Sequence, residues 1–89
     1  MTLRLRSGDL FWRESGGEVV ALDAESSRYF SANASAALLW ERLGEGATEE
    51  ELVGALRARY DLARATAEAD VRAFVEELSA RGLLEPRAG

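Results

Sequence analysis

The sequence predicts an α+β fold: a three-stranded antiparallel sheet followed by three helices. Three observations carry this. Up to about Ser31, short apolar or alternating runs sit between glycine-rich and polar turns, which is strand patterning. From Ala34 onward, apolar side chains recur at spacings of three and four, which is helix patterning. The two regimes meet without a break in Arg28 to Trp40, RYFSANASAALLW, an aromatic strand, a corner and the start of a helix. With 89 residues and 47% hydrophobic content, the chain supports one small core, so 1–89 reads as a single domain whose polar end, 85–89, is a mobile tail.

Each element follows from its residues. Thr2 to Arg6 alternates Leu3 and Leu5 with Arg4 and Arg6, the pattern of an exposed arm with one apolar face and its arginines in solvent. Leu10 to Glu14 carries Phe11 and Trp12, both good strand residues, and Ser15-Gly16-Gly17 closes it as a turn. Glu18 to Asp23 follows, with Val20 and Leu22 on one face and Val19 and Ala21 on the other, so both faces are expected to be covered. Ala24 to Ser27 is a hairpin connection into Arg28 to Ser31. A strand this short is expected at a sheet edge, with unpaired backbone N–H and C=O groups.

Asn33 is the expected N-cap of a helix over about Ala34 to Leu43, with Ala36, Leu39, Trp40 and Leu43 on one stripe and Gly44 and Gly46 as its stop. Trp40 reads as core. Thr48 and Glu51 form a capping box for the second helix, whose stripe is Leu52, Val53, Leu56 and Tyr60. Glu49, Glu50 and Glu51 suit the positive end of that helix dipole; consecutive helical positions point apart and do not make a metal site. Leu62 points inward from the linker, and Thr66 caps a third helix running to about Arg81, with Gly82 as its stop. Its stripe is Val71, Phe74, Val75 and Leu78, and Leu83-Leu84 packs back on the core. The last two helices with a sheet attached fit a winged helix-turn-helix.

Composition narrows the function. There is no cysteine, histidine or lysine, which removes thiol nucleophiles, the usual zinc ligands and the ordinary neutral-pH base. Neither an enzyme nor a cofactor or metal is expected. A net charge of -5 argues against nucleic acid as a partner, and the third helix from Thr66 to Arg81 holds more acids than arginines, which disfavours a DNA-binding regulator. No leader segment and no apolar run of bilayer length is present, so no membrane partner is expected and the expected location is cytoplasmic.

In order and spacing, several segments resemble the PqqD-like family: Glu18-Val19-Val20-Ala21-Leu22-Asp23, the Tyr29-Phe30-Ser31-Ala32-Asn33 corner, Ala36-Ala37-Leu38-Leu39-Trp40, Asp70-Val71 to Phe74-Val75, and Leu78 to Gly82-Leu83-Leu84. Ala32 departs from the pattern, which usually has leucine there. The resemblance implies a recognition element for ribosomally synthesised, post-translationally modified peptides. Such a protein binds the precursor's leader as a strand added antiparallel to the third strand, in a cleft against the third helix. A stand-alone chain is most similar to the discrete proteins of lasso-peptide pathways, whose partners are a leader peptidase and a cyclase. The alternative is a PqqD or mycofactocin-type chaperone that presents a precursor to a radical enzyme.

On this reading Arg28, Tyr29, Phe30 and Ser31 supply the backbone ladder, and Tyr29 or Phe30, which point to opposite faces, one wall. Val71, Phe74, Val75 and Leu78 include the other wall, and Arg72 or Asp70 pairs with leader charges at the rim. Taken singly, Val71, Phe74 and Leu78 fit core packing better, and Val75, at the stripe's edge, is the better groove residue.

Overall fold

The computed structural model describes residues 2–6 and 8–85; the expected tail beyond Glu85 lies outside them. The elements are β1 (Leu10–Ser15), β2 (Glu18–Asp23), β3 (Arg28–Ala32), α1 (Ala34–Glu45), α2 (Glu49–Tyr60) and α3 (Arg64–Ala80). The three strands form an antiparallel sheet in the order β1-β2-β3, which leaves β3 at an edge. Gly16 and Gly17, at φ 61° and 83°, make the two-residue turn between Ser15 and Glu18, a conformation that side chains with a Cβ resist.

Cross-strand register sorts the sheet into two faces. Trp12, Ala21 and Phe30 form one row, and Phe11, Leu22 and Tyr29 form the next, on the opposite face. Only one face is covered, contrary to the expectation from the apolar run in β2. Val19 and Ala21 are buried, whereas Val20 is 43% exposed. The reason is geometric: α1 packs on β2 and β3 from one side, and Val20 and Leu22 point away from it.

The helix ends show which local signals prevailed. Asn33 caps α1 through its side chain, which accepts from the Ala36 N–H at 3.1 Å. Gly44 does not stop this helix. It lies within it, where a Cβ would come 3.3 Å from the Trp12 ring, and the chain turns out at Gly46 with φ 98°. The Thr48–Glu51 capping box forms as expected, with bonds of 3.0 and 2.8 Å. Thr66 does not cap α3. The helix starts at Arg64, whose guanidinium holds Glu68 one turn on at 3.1 Å and Glu50 of α2 at 3.2 Å.

The N-terminal arm buries its apolar face against the core, while Thr2 and Arg4 stay exposed. Leu3 pairs with Ala47 and Leu5 with Leu84 in short antiparallel bridges, and both leucines join the core with Leu83. The arm is thus stitched between the turn after α1 and the segment after α3. Its arginines are engaged: Arg4 donates to the Glu45 carbonyl at 2.9 Å, near the negative end of α1. Arg6 Nη2 meets the buried carboxylate of Asp23 at 2.6 Å. Trp40, Leu43, Leu52, Leu56, Leu78, Val19 and Val71 form the fully buried centre.

Candidate functional site

The candidate site is the gap between β3 and α3. α3 packs chiefly on α2, and the helix that supports β3 is α1, so the outer edge of β3 has no neighbour in the sheet. Its backbone donors and acceptors on that side stay open to an incoming chain.

Phe30 lies at the bottom of this gap. Its ring stacks on Trp40, with centroids 5.4 Å apart and 18° between planes, and it approaches Phe74 of α3 at 6.3 Å. The Arg81 guanidinium caps the arrangement, 5.1 Å from the Phe30 centroid. Trp40 is fully buried and its Nε1 has no hydrogen-bond partner, so the indole serves as an apolar plate beneath Phe30. At the Arg81 end a cavity of about 260 Å³ opens, bordered by Ala21, Asp23, Arg28, Phe30, Arg81 and Leu83. It has room for one side chain, an apolar floor and two cations at its mouth.

Asp23 does not compete for those cations. Arg6 holds its carboxyl below the ordinary aspartate range through their hydrogen bond, and the Glu25 N–H donates to the same oxygen at 3.1 Å. Asp23 therefore neutralises the arm at the back of the site. Arg28 has no ion-pair partner among the described residues.

The structure brings only some of the expected residues together. Arg28, Tyr29, Phe30 and Ser31 all lie on the edge strand, but Phe30 alone turns toward α3; Tyr29 is 71% exposed on the other face, in the row with Leu22. Val71 and Leu78 are in the core, beneath the site, and Phe74 reaches the Phe30 ring. Arg72 sits elsewhere: with Val71 it borders a cavity against Glu49, Glu50 and Val53 of α2. Val75 is half-buried against the core, and one residue of helix turns it about 100° from Phe74, toward that same α2 flank. Asp70 is exposed one turn before Phe74, on the side toward β3.

Arg81, Leu83 and Asp23 also border the cavity, beyond the residues that the sequence pattern points to. A signal was present: Arg81 follows Phe74 by seven residues, two helical turns, and so shares its face. Read locally, however, Arg81 is a helix end before Gly82.

Comparison with known proteins adds to this geometry. A family model described as coenzyme PQQ synthesis protein D (PqqD) matches residues 18–84. The solved structure of TbiB1 in complex with the TbiA(beta) leader peptide is 34% identical, with a TM-score of 0.85 over 97% of this chain and 99% of that one. Lasso peptide synthetase B1, complexed with the leader peptide, is 31% identical, with a TM-score of 0.81 over 94% of this chain and 98% of that one. No curated protein matches the chain.

Proposed function

Because the chain belongs to the PqqD family, we propose that it binds the leader of a ribosomally made precursor peptide and delivers it to the leader peptidase and cyclase of a lasso-peptide pathway. The observation that carries this reading is the free edge of β3 beside the Phe30–Phe74 gap. An extended leader adds to that edge as a fourth strand, antiparallel to β3. Main-chain hydrogen bonds supply affinity that tolerates many sequences, and pockets under alternate leader side chains supply selectivity.

The inward-facing leader side chains meet Phe30, Phe74 and the cavity beside Arg81, where one apolar side chain fits. Acidic leader residues next to it face Arg28 and Arg81. Tyr29 and Ser31 contribute backbone, since their side chains point away. The role is non-catalytic and belongs in the cytoplasm, where precursors are made: the protein raises the local concentration of its precursor at the enzymes.

A proline scan along the leader tests the ladder. Proline in the middle of the bound segment removes a donor and should weaken binding at least tenfold in fluorescence anisotropy, whereas proline outside it should not. Uniform tolerance of proline would rule strand addition out.

A further inference from the structure

The cavity beside Arg81 has two walls that belong to different packing units. Ala21, Asp23 and Phe30 bring the sheet, which α1 supports; Ala80, Arg81 and Leu83 bring the end of α3, which packs chiefly on α2. Inside the gap the walls meet through Phe30, whose ring lies 6.3 Å from Phe74 and 5.1 Å from the Arg81 guanidinium. A leader strand entering there lies among those same side chains, so something outside the gap must fix the width it meets.

Behind the cavity, one side chain of the N-terminal arm bonds to both walls without bordering the cavity itself. Arg6 Nη2 donates to Asp23 Oδ1 at 2.6 Å on the sheet side, and Nη1 donates to the Gly82 carbonyl at 3.0 Å on the α3 side. The arm's backbone strengthens the second anchor: the Arg6 N–H donates to the Leu83 carbonyl and the Glu85 N–H to the Arg4 carbonyl, both at 2.8 Å. The Arg6 and Asp23 side chains are only 21% and 10% exposed, so the pair is largely withdrawn from water and the charge-assisted bond is a strong one. The guanidinium fork is rigid, and its two nitrogens keep the two walls at one spacing.

We propose that Arg6 is a positioning residue for leader recognition: it fixes the distance between Asp23 and Gly82, and thereby the size of the leader side chain that the cavity accepts. The proposal rests on leader binding at the β3 edge. Linkage makes the effect reciprocal, so a leader side chain seated in the cavity steadies the arm at a distance. A staple that only stabilises the fold would affect every leader alike, whereas a spacer acts at one leader position.

The test uses the full chain, a fluorescein-labelled synthetic leader of its precursor, and the variants Arg6→Lys and Arg6→Ala. Lysine keeps the charge beside Asp23 but has one nitrogen and does not bond to both walls. Leader affinity by anisotropy should fall about fivefold in Arg6→Lys and further in Arg6→Ala. At the one leader position that fills the cavity, alanine should remove the difference between native chain and variant, and a bulkier side chain should be tolerated better by the variant. Alanine at the other inward-facing positions should leave the difference intact. A loss of equal size with every leader, or no loss, overturns the proposal.

A second measurement needs no variant. In the native chain, hydrogen exchange at the Arg6 and Glu85 amides should slow severalfold when the native leader saturates it, and not when the leader with alanine at the cavity position does. Equal exchange with the two leaders overturns the proposal even if both variants unfold. Flat anisotropy with the native chain overturns leader binding itself; normal native binding that ignores Arg6 overturns the spacer alone.

Discussion

On the covered face of the sheet, Trp12, Ala21 and Phe30 meet the helices, and Phe30 stacks on a fully buried Trp40. One residue along each strand, Phe11, Leu22 and Tyr29 form a row that faces away from the helices. The two rows have nearly the same hydrophobicity and opposite placement: the first builds the core and the floor of the gap beside β3, the second faces away from the helices. Apolar content alone therefore does not tell core from surface in a small sheet. Where the helices land does.

The sharpest break in that comparison is Trp40→Ala. It removes the plate beneath Phe30 from the centre of the core and should cost about 3–5 kcal/mol in urea unfolding, enough to threaten folding in a domain of this size. Trp40→Phe should keep the fold, because Nε1 makes no hydrogen bond to lose.

Next in size is the pair of neighbours on β3. Phe30→Ala should cost about 2 kcal/mol, less than a fully buried phenylalanine, and weaken leader binding at least tenfold by anisotropy. Tyr29→Ala should stay within about 0.5 kcal/mol in stability and change leader affinity little. Similar losses in the two variants would mean that both side chains line the gap.

Two acidic corners of the covered face respond to pH in opposite directions. At one corner, the hydrogen bond from Arg6 lowers the Asp23 carboxyl, so ionisation favours the folded state. That contribution is complete above the ordinary aspartate value of about 3.9 and is lost as pH falls through the lowered one. Melting temperature measured from pH 7 to pH 2 should drop on the acid side, and Asp23→Asn should flatten that limb.

At the other corner Glu14, in the row of Val19, shares a hydrogen bond with Glu41 of α1, and this bond, with burial, raises the Glu41 carboxyl. Its contribution is complete below the ordinary glutamate value of about 4.3 and is lost as pH rises through the raised one. Glu14→Gln should thus raise the melting temperature slightly at pH 7 and not at pH 4, the smallest effect of the set. No change at pH 7 would show that the two carboxylates separate in solution.

Several features were legible in the residues because their causes are local. Asn33, the Thr48–Glu51 box and the Gly16-Gly17 turn each satisfy or bend backbone within four positions, so neighbours in sequence suffice. Strand β2 and the edge position of β3 follow from short range in the same way. The start of α3 escapes the local cap rule, because Arg64 at that end is held by Glu50, a partner fourteen residues away on another helix.

The sequence by itself determined the order of elements, the periodicity of each and the opposite orientation of Tyr29 and Phe30, since alternation along a strand is a property of the backbone. Only the tertiary structure decided which of the two faces the gap, because that depends on the side to which α1 brings Trp40. It also decided that Leu3 and Leu5 are core, that Arg72 and Val75 belong to the α2 flank, and that Arg81 reaches Phe30. Each of these is a contact between segments far apart in the chain, and such contacts are set by how whole faces pack, not by the residues on either side.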